Sequence, residues 1–324
     1  MAELRFAQGI NRALRECMEE DPAVFLFGED IAQVGGPFGV TRGLLDQFGP
    51  DRIRDTPISE ATMANAAVGA ALSGLRPVLE IMFMDFMTLT MDALVNQAAK
   101  ARFMFGGQTS VPLVIRTPHG GGISAGPQHS QCLEAWFAHI PGLKVVCPSN
   151  PADAYGLLKA AIQDPDPVVF VENKALYAMK GDVADDAPSI PLGTANIVRP
   201  GKDVTLVTYG ACVHKAARAA STLADEGIDT EIVDLRSIQP WDEQAVLASL
   251  KRTHRLLIVH EAVEAFGVGA EIAARMAEAG FDELDAPIVR VAAPFVPVPF
   301  APALEAQYQP QEADIIAAAR KLCE

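Results

Sequence analysis

The chain has 324 residues and is 50% hydrophobic, enough for two ordinary α/β domains that each bury a core, which excludes a disordered or fibrous protein. Its formal net charge of -15, with no run of Lys or Arg, opposes binding to phosphate backbones, so nucleic acid is excluded as a partner. The apolar stretches are broken by Asp, Glu, Pro or Gly before they reach the ~20 residues of a membrane helix.

In chain order, short Val, Ile and Leu runs alternate with helix-like segments, the pattern of parallel strands covered on both faces. Strands are predicted in AVFLFGED, RPVLEIMF, VPLVIRT, LKVVCPS and PVVFVEN. Between them the helices are LRFAQGINRALRECMEE, ATMANAAVGAALSG, LTMDALVNQAAKARFMF and PADAYGLLKAAIQD, the last opened by Asn150 as N-cap with Pro151 following. The polar, turn-rich KGDVADDAPSIPLG breaks the rhythm and is the predicted linker, giving domains 1–184 and 190–324. Beyond it strands are predicted in DVTLVTYG, TEIVDLRSI, RLLIVHEA and PIVRVAA, with helices near ACVHKAARAASTLADEG, DEQAVLASLKR and GVGAEIAARMAEAG. Five scattered cysteines without a CxxC pair suggest neither zinc nor a disulfide framework. The acidic, helical N-terminus has no signal or transit character, and a cytoplasmic setting is expected.

Three segments could carry chemistry. Glu60 follows Ser59, a candidate N-cap, and falls in the first turn of a helix, where an acid either does chemistry or merely complements the helix dipole. In TPHGGGISAGPQHSQ, His119 and His129 flank four glycines; such a loop can bring backbone close to a ligand, and an imidazole can move a proton near neutral pH. Either histidine also reads as an ordinary loop, cap or core residue, and His139 reads as a helix end without chemistry. LEIMFMDFMTLTMD is read as a strand whose Met82 and Phe86 serve either as core or as a soft wall for a planar ring. Walker, GxGxxG, GxSxG and HExxH patterns are absent, and FGVGAE reads as close helix packing.

GEDIAQVGG, DTPISE, RPVLEIMF, QAAKARFMFGG, QHSQCLEAWFAHIPGLKVVCPS and VPVPFAP, in this order, resemble the β subunits of pyruvate, branched-chain 2-oxo acid and acetoin dehydrogenases. The resemblance implies a two-domain α/β fold with largely parallel sheets: a thiamine diphosphate-binding domain of pyrimidine type, then a transketolase C-terminal-like domain. It implies that Glu60 hydrogen-bonds the cofactor's aminopyrimidine ring, that His129 is the active-site histidine, and that Met82 and Phe86 line the ring pocket. Glu29 and Asp92 match acidic residues of a polar tunnel, Glu29 also counting among the cofactor-binding positions. Leu113, Ala161, Ile162, Asp164 and Asp166 match a potassium site built on backbone carbonyls, although AIQDPDP is equally a helix terminus closed by prolines.

The family's GDG motif for diphosphate and magnesium is missing, so the resemblance implies an α subunit that supplies it, in a complex of two α and two β chains. The implied activity is decarboxylation of a 2-oxo acid, pyruvate first, with transfer of the acyl group to a lipoyl-bearing dihydrolipoamide acyltransferase. Its closing segment APFVPVPFAPALEAQYQP either docks that partner or covers the core. Acetoin cleavage is the alternative, and half of a split transketolase the more distant one.

Overall fold

A computed structural model describes residues 2–324. The chain divides into two units, one running to His119 and resuming at Trp136–Leu192, the other made of Gly120–Ala135 and Gly193–Glu324.

In the first unit β1 (Ala2–Arg5) leads into a helix, Phe6–Glu20, that buries Phe6, Ile10, Ala13, Leu14 and Cys17 at helical spacing. It lies against the helix Pro151–Gln163, and so closely that a Cβ on Gly9 would stand 2.6 Å from the Pro151 carbonyl oxygen. Burying each large aliphatic side chain here stabilises the fold by about 2 kcal/mol. The sheet contains β2 (Val24–Gly28), β3 (Ile53–Asp55), β4 (Arg76–Glu80), β5 (Val114–His119), β6 (Lys144–Val146) and β7 (Val168–Asn173). Their order is β6-β7-β5-β4-β2-β3, all neighbours parallel. Asn150 caps Pro151–Gln163 as expected, its side chain accepting from the Asp153 amide at 2.9 Å.

Four expectations are corrected. The strand that was to run through Met82 to Asp92 stops at Glu80, and the chain winds instead through a 3-10 turn at Met84–Thr90, a π-helix at Asp92–Ala98 and an α-helical end at Ala99–Met104. An apolar run of this kind satisfies strand and buried helix equally, and a π segment is a frequent mark of a functional region. Ser59 precedes the helix Glu60–Leu72, but its hydroxyl donates to the Thr62 hydroxyl at 2.8 Å rather than capping the backbone. His119 is no loop residue: it ends β5, is buried, and places Nε2 3.8 Å from the Cys147 sulfur. Part of the expected linker is a strand, β8 (Lys180–Val183), paired antiparallel with β1.

The second unit contains β9 (Asn196–Arg199), β10 (Val204–Thr208), β11 (Thr230–Asp234), β12 (Ser237–Gln239), β13 (Leu256–Val263) and β14 (Val289–Ala293). Its sheet runs β14-β13-β10-β11-β9, parallel except for the antiparallel edge strand β9, which the sequence did not suggest. Val204, Leu206, Leu257 and Val259 pack with Ala216, Ala220 and Leu223 of the helix Cys212–Asp225. Ile315 and Leu322 of the C-terminal helix Glu312–Cys323 join them. Gly267 and Gly269 of FGVGAE are close-packing positions as expected: a Cβ on either would stand 2.7 Å from the buried ring of His260. The Pro-rich closing segment is partly helical, at Pro302–Tyr308. No helix among the described residues is long and apolar enough to cross a membrane.

Candidate active site

Ligands of open parallel sheets gather beyond the carboxyl ends of the strands. Glu29 directly follows β2, Glu60 opens the helix after β3, and Met82 and Phe86 lie in the turn after β4. Glu60 and Glu29 are buried, 6% and 5% exposed. Burial pushes the Glu29 carboxyl above the usual carboxylate range, and the Glu60 and Asp30 charges push it further. Two buried carboxylates, the charge of one raising the proton affinity of the other, form a pair suited to holding and passing a proton. Oε1 of Glu29 is buried without a hydrogen-bond partner, which fits an incoming polar group that carries an N–H or O–H.

The turn after β4 is aromatic. Phe86 meets Phe83 edge-on at 5.9 Å; Phe83 meets Phe38 edge-on at 6.2 Å; Phe38 stacks on Tyr177 at 4.6 Å. Phe86 and Met82 are half-buried. Asp92, by contrast, is exposed and accepts a hydrogen bond from the Asn96 side chain at 2.7 Å.

Beneath these residues lies a charged network that sequence reading missed. Arg116 of β5 is 1% exposed; it donates to Glu172 of β7 at 2.7 and 2.9 Å and to Glu80 of β4 at 2.6 Å, while the Tyr177 hydroxyl donates to Glu172 at 2.7 Å. Glu80 and Arg116 are directly paired across the parallel ladder. The signal in the sequence was a charge within or at the end of three largely apolar strands.

In the second unit, His129 is half-buried at the end of the glycine-rich loop, its amide donating to the Gly126 carbonyl at 3.3 Å. The short helix Glu134–Ala138 follows, and exposed His139 stands just past its end, as expected.

The five potassium positions meet at the opposite edge of the first sheet, before β5 and β7. Their oxygens are already engaged. Leu113 accepts from the Val168 amide at 2.9 Å and Ala161 from the Asp164 amide at 3.3 Å. Arg76 donates to the Ile162 and Asp164 carbonyls at 2.9 and 3.4 Å, Lys144 meets the Asp164 carboxylate at 2.6 Å, and Arg102 meets that of Asp166 at 2.5 Å. Of these three cations only Arg76 meets backbone carbonyls; Lys144 and Arg102 neutralise the two carboxylates. Thermal unfolding in potassium and sodium chloride of equal concentration tests the ion: a potassium-specific rise is the expected mark of an ion bound to the native state, and equal temperatures remove it.

Fold and site define a two-domain protein of transketolase type. Residues 2–180 match the family model of the transketolase pyrimidine binding domain, and residues 193–315 that of the transketolase C-terminal domain. The chain is 50% identical over 329 residues to the β subunit of acetoin:2,6-dichlorophenolindophenol oxidoreductase from Cupriavidus necator, covering 98% of this chain and 97% of that one. It is 46% identical over 325 residues to the mitochondrial pyruvate dehydrogenase E1 component subunit beta-2 of Oryza sativa subsp. japonica, covering 99% of this chain and 86% of the rice protein. Against the 2-oxoisovalerate dehydrogenase subunit beta of Bacillus subtilis the identity is 42% over 326 residues, with both chains fully covered. A solved split gene transketolase, an inactive beta4 tetramer, superposes with TM-score 0.81 at 23% identity over 99% of this chain and 98% of that one, a likeness of fold. The chain belongs to the β subunits of the thiamine diphosphate-dependent 2-oxo acid dehydrogenases.

Proposed function

We propose that this β subunit works with an α subunit to decarboxylate a 2-oxo acid, pyruvate before others, and to pass the acyl group to a lipoyl carrier. The observation that carries the reading is the buried pair Glu29 and Glu60 at the carboxyl edge of the first sheet, with Oε1 of Glu29 waiting for a donor. Bound thiamine diphosphate supplies the nucleophilic carbon and the electron sink. Glu60 would hydrogen-bond a ring nitrogen, Glu29, whose buried Oε1 lacks a partner, would accept from a neighbouring N–H or O–H, and Phe86 and Met82 would wall the ring and exclude water. His129 gives or takes the proton at the acyl-bearing side.

The GDG motif that would hold the diphosphate and its magnesium is missing from the sequence. The stretch nearest to the missing motif, GDVADD, begins in β8, where Gly181–Val183 pair with Ala2–Leu4. Those ligands are assigned to the α subunit, in a complex of two α and two β chains. The exposed Phe295, Val296 and Phe300 of the closing segment offer an apolar surface for the acyltransferase.

Acetoin cleavage is the second reading, favoured by the 50% identity to the Cupriavidus subunit. Split transketolase has only the fold likeness behind it. The test is co-expression with an α subunit bearing the GDG motif, followed by thiamine diphosphate-dependent reduction of an artificial acceptor with pyruvate, acetoin and branched-chain 2-oxo acids. Pyruvate is expected to turn over fastest, and the β chain alone not at all. Turnover of acetoin only selects the second reading; no turnover of any of them removes the dehydrogenase reading.

A further inference from the structure

A glycine-rich loop offers its amides to an anion, ordinarily a ligand. Here the loop Gly120–Ser130 has its own. The Gly121 amide donates to Glu261 Oε1 at 2.6 Å, the Gly122 amide to Glu305 Oε1 at 2.9 Å and the Ser124 amide to Glu305 Oε2 at 3.0 Å. The Gln309 side chain donates to the same Glu261 oxygen at 3.0 Å. Both carboxylates are buried, and a buried carboxylate must be compensated by charge or by strong donors. For Glu305 the donors are backbone amides and the Ser124 hydroxyl, at 3.4 Å.

The loop's backbone is shaped to these partners. Ser124 is held in the left-handed region at φ 56°, uncommon for a residue with a side chain, with its amide on Glu305. A Cβ on Gly121 would stand 2.7 Å from Gln309 Nε2 and 2.9 Å from Glu305 Oε1; on Gly126 it would stand 2.1 Å from the Phe300 ring. The glycines at 121 and 126 are therefore required by the chain's own C-terminal segment. Gly126 in turn holds the His129 amide through its carbonyl.

We infer that Glu305 and Glu261 are positioning residues for the histidine loop, fixing through the Gly121–Ser124 amides the backbone that carries His129. This rests on the proposed role of His129. A carboxylate can serve two amides at once with its two oxygens. Gln at 305 must turn an NH2 toward one of them, so Glu305→Gln breaks one bond of the clamp whichever way its amide faces.

The test uses the assembled α/β enzyme. In Glu305→Gln the Gly121–Ser124 amides are expected to lose protection from hydrogen exchange. The kcat for acyl transfer to a lipoyl carrier is expected to fall about tenfold, the worth of one charge-assisted bond, with KM for the oxo acid unchanged. Combined with His129→Asn, Glu305→Gln should add little to the loss, because both act on one group. Glu305→Asp, which keeps both acceptor oxygens, should recover part of the rate, and it serves as the test should Glu305→Gln fail to assemble. Unchanged exchange and kcat, or losses that multiply in the double variant, overturn the inference. Loss of exchange protection with His129→Asn fully active would instead remove His129 from the chemistry and leave the clamp standing.

Discussion

In the α/β complex, Glu60→Gln is expected to lower kcat by about 10² to 10⁴, the usual worth of a positioned proton-transferring group, while assembly and cofactor retention stay intact. Gln matches Glu in shape, so packing at the start of the helix Glu60–Leu72 is kept. What it cannot do is exchange a proton with a ring nitrogen or share charge with Glu29. The helix-dipole role open from sequence makes a different forecast: losing a first-turn acid costs about 0.3–1 kcal/mol of stability and leaves turnover alone. Steady-state kcat, with thermal shift on adding cofactor, separates the two. Full activity in Glu60→Gln would place Glu60 among ordinary first-turn acids.

The fold was largely legible because its strands announce themselves. Buried parallel strands such as VPLVIRT and PVVFVEN are short apolar runs bounded by Pro, Gly and Asn, and their shortness and bounding residues favour a central strand of an α/β sheet. Met82 to Asp92 was misread because its apolar residues continue those of β4 without a break, and the change to 3-10 and π winding depends on where the backbone hydrogen bonds go. Glu60 was legible as part of DTPISE, but its burial beside Glu29 required parallel pairing of β2 and β3, which puts their carboxyl ends side by side. Glu305 was illegible as a partner of the glycine loop: its bond to Gly122 spans 183 positions, and the recipients are backbone amides that leave no trace in composition. The glycines themselves were read as room for a ligand. The room is filled by Gln309, Glu305 and Phe300.

The buried triad of Glu80, Arg116 and Glu172 shows why a charge inside a strand is worth reading. Arg116 reaches three strands at once, β5 through its own backbone and β4 and β7 through the carboxylates, and Glu80 ends β4 just before the turn that carries Met82 and Phe86. Against a well-packed apolar replacement of the whole set, the net contribution to stability is small, because three groups give up water. Removing the centre alone is another matter. Arg116→Met leaves two carboxylates buried without their cation, and breaking such a pair costs about 3–5 kcal/mol, a large share of the ~5–15 kcal/mol that holds a domain together. Thermal unfolding of the β subunit should fall by about 10 °C or more, or the variant should fail to accumulate as folded protein. Adding Glu80→Gln and Glu172→Gln to Arg116→Met should restore part of the loss, since neutral amides tolerate the dry site. Activity should recover less than stability, because the triad also ties β4 to β5 and β7 at the end from which the aromatic turn departs. A single variant Arg116→Met with unchanged unfolding temperature would mean that water reaches the two carboxylates, and that the strand ends are held by the ladder alone.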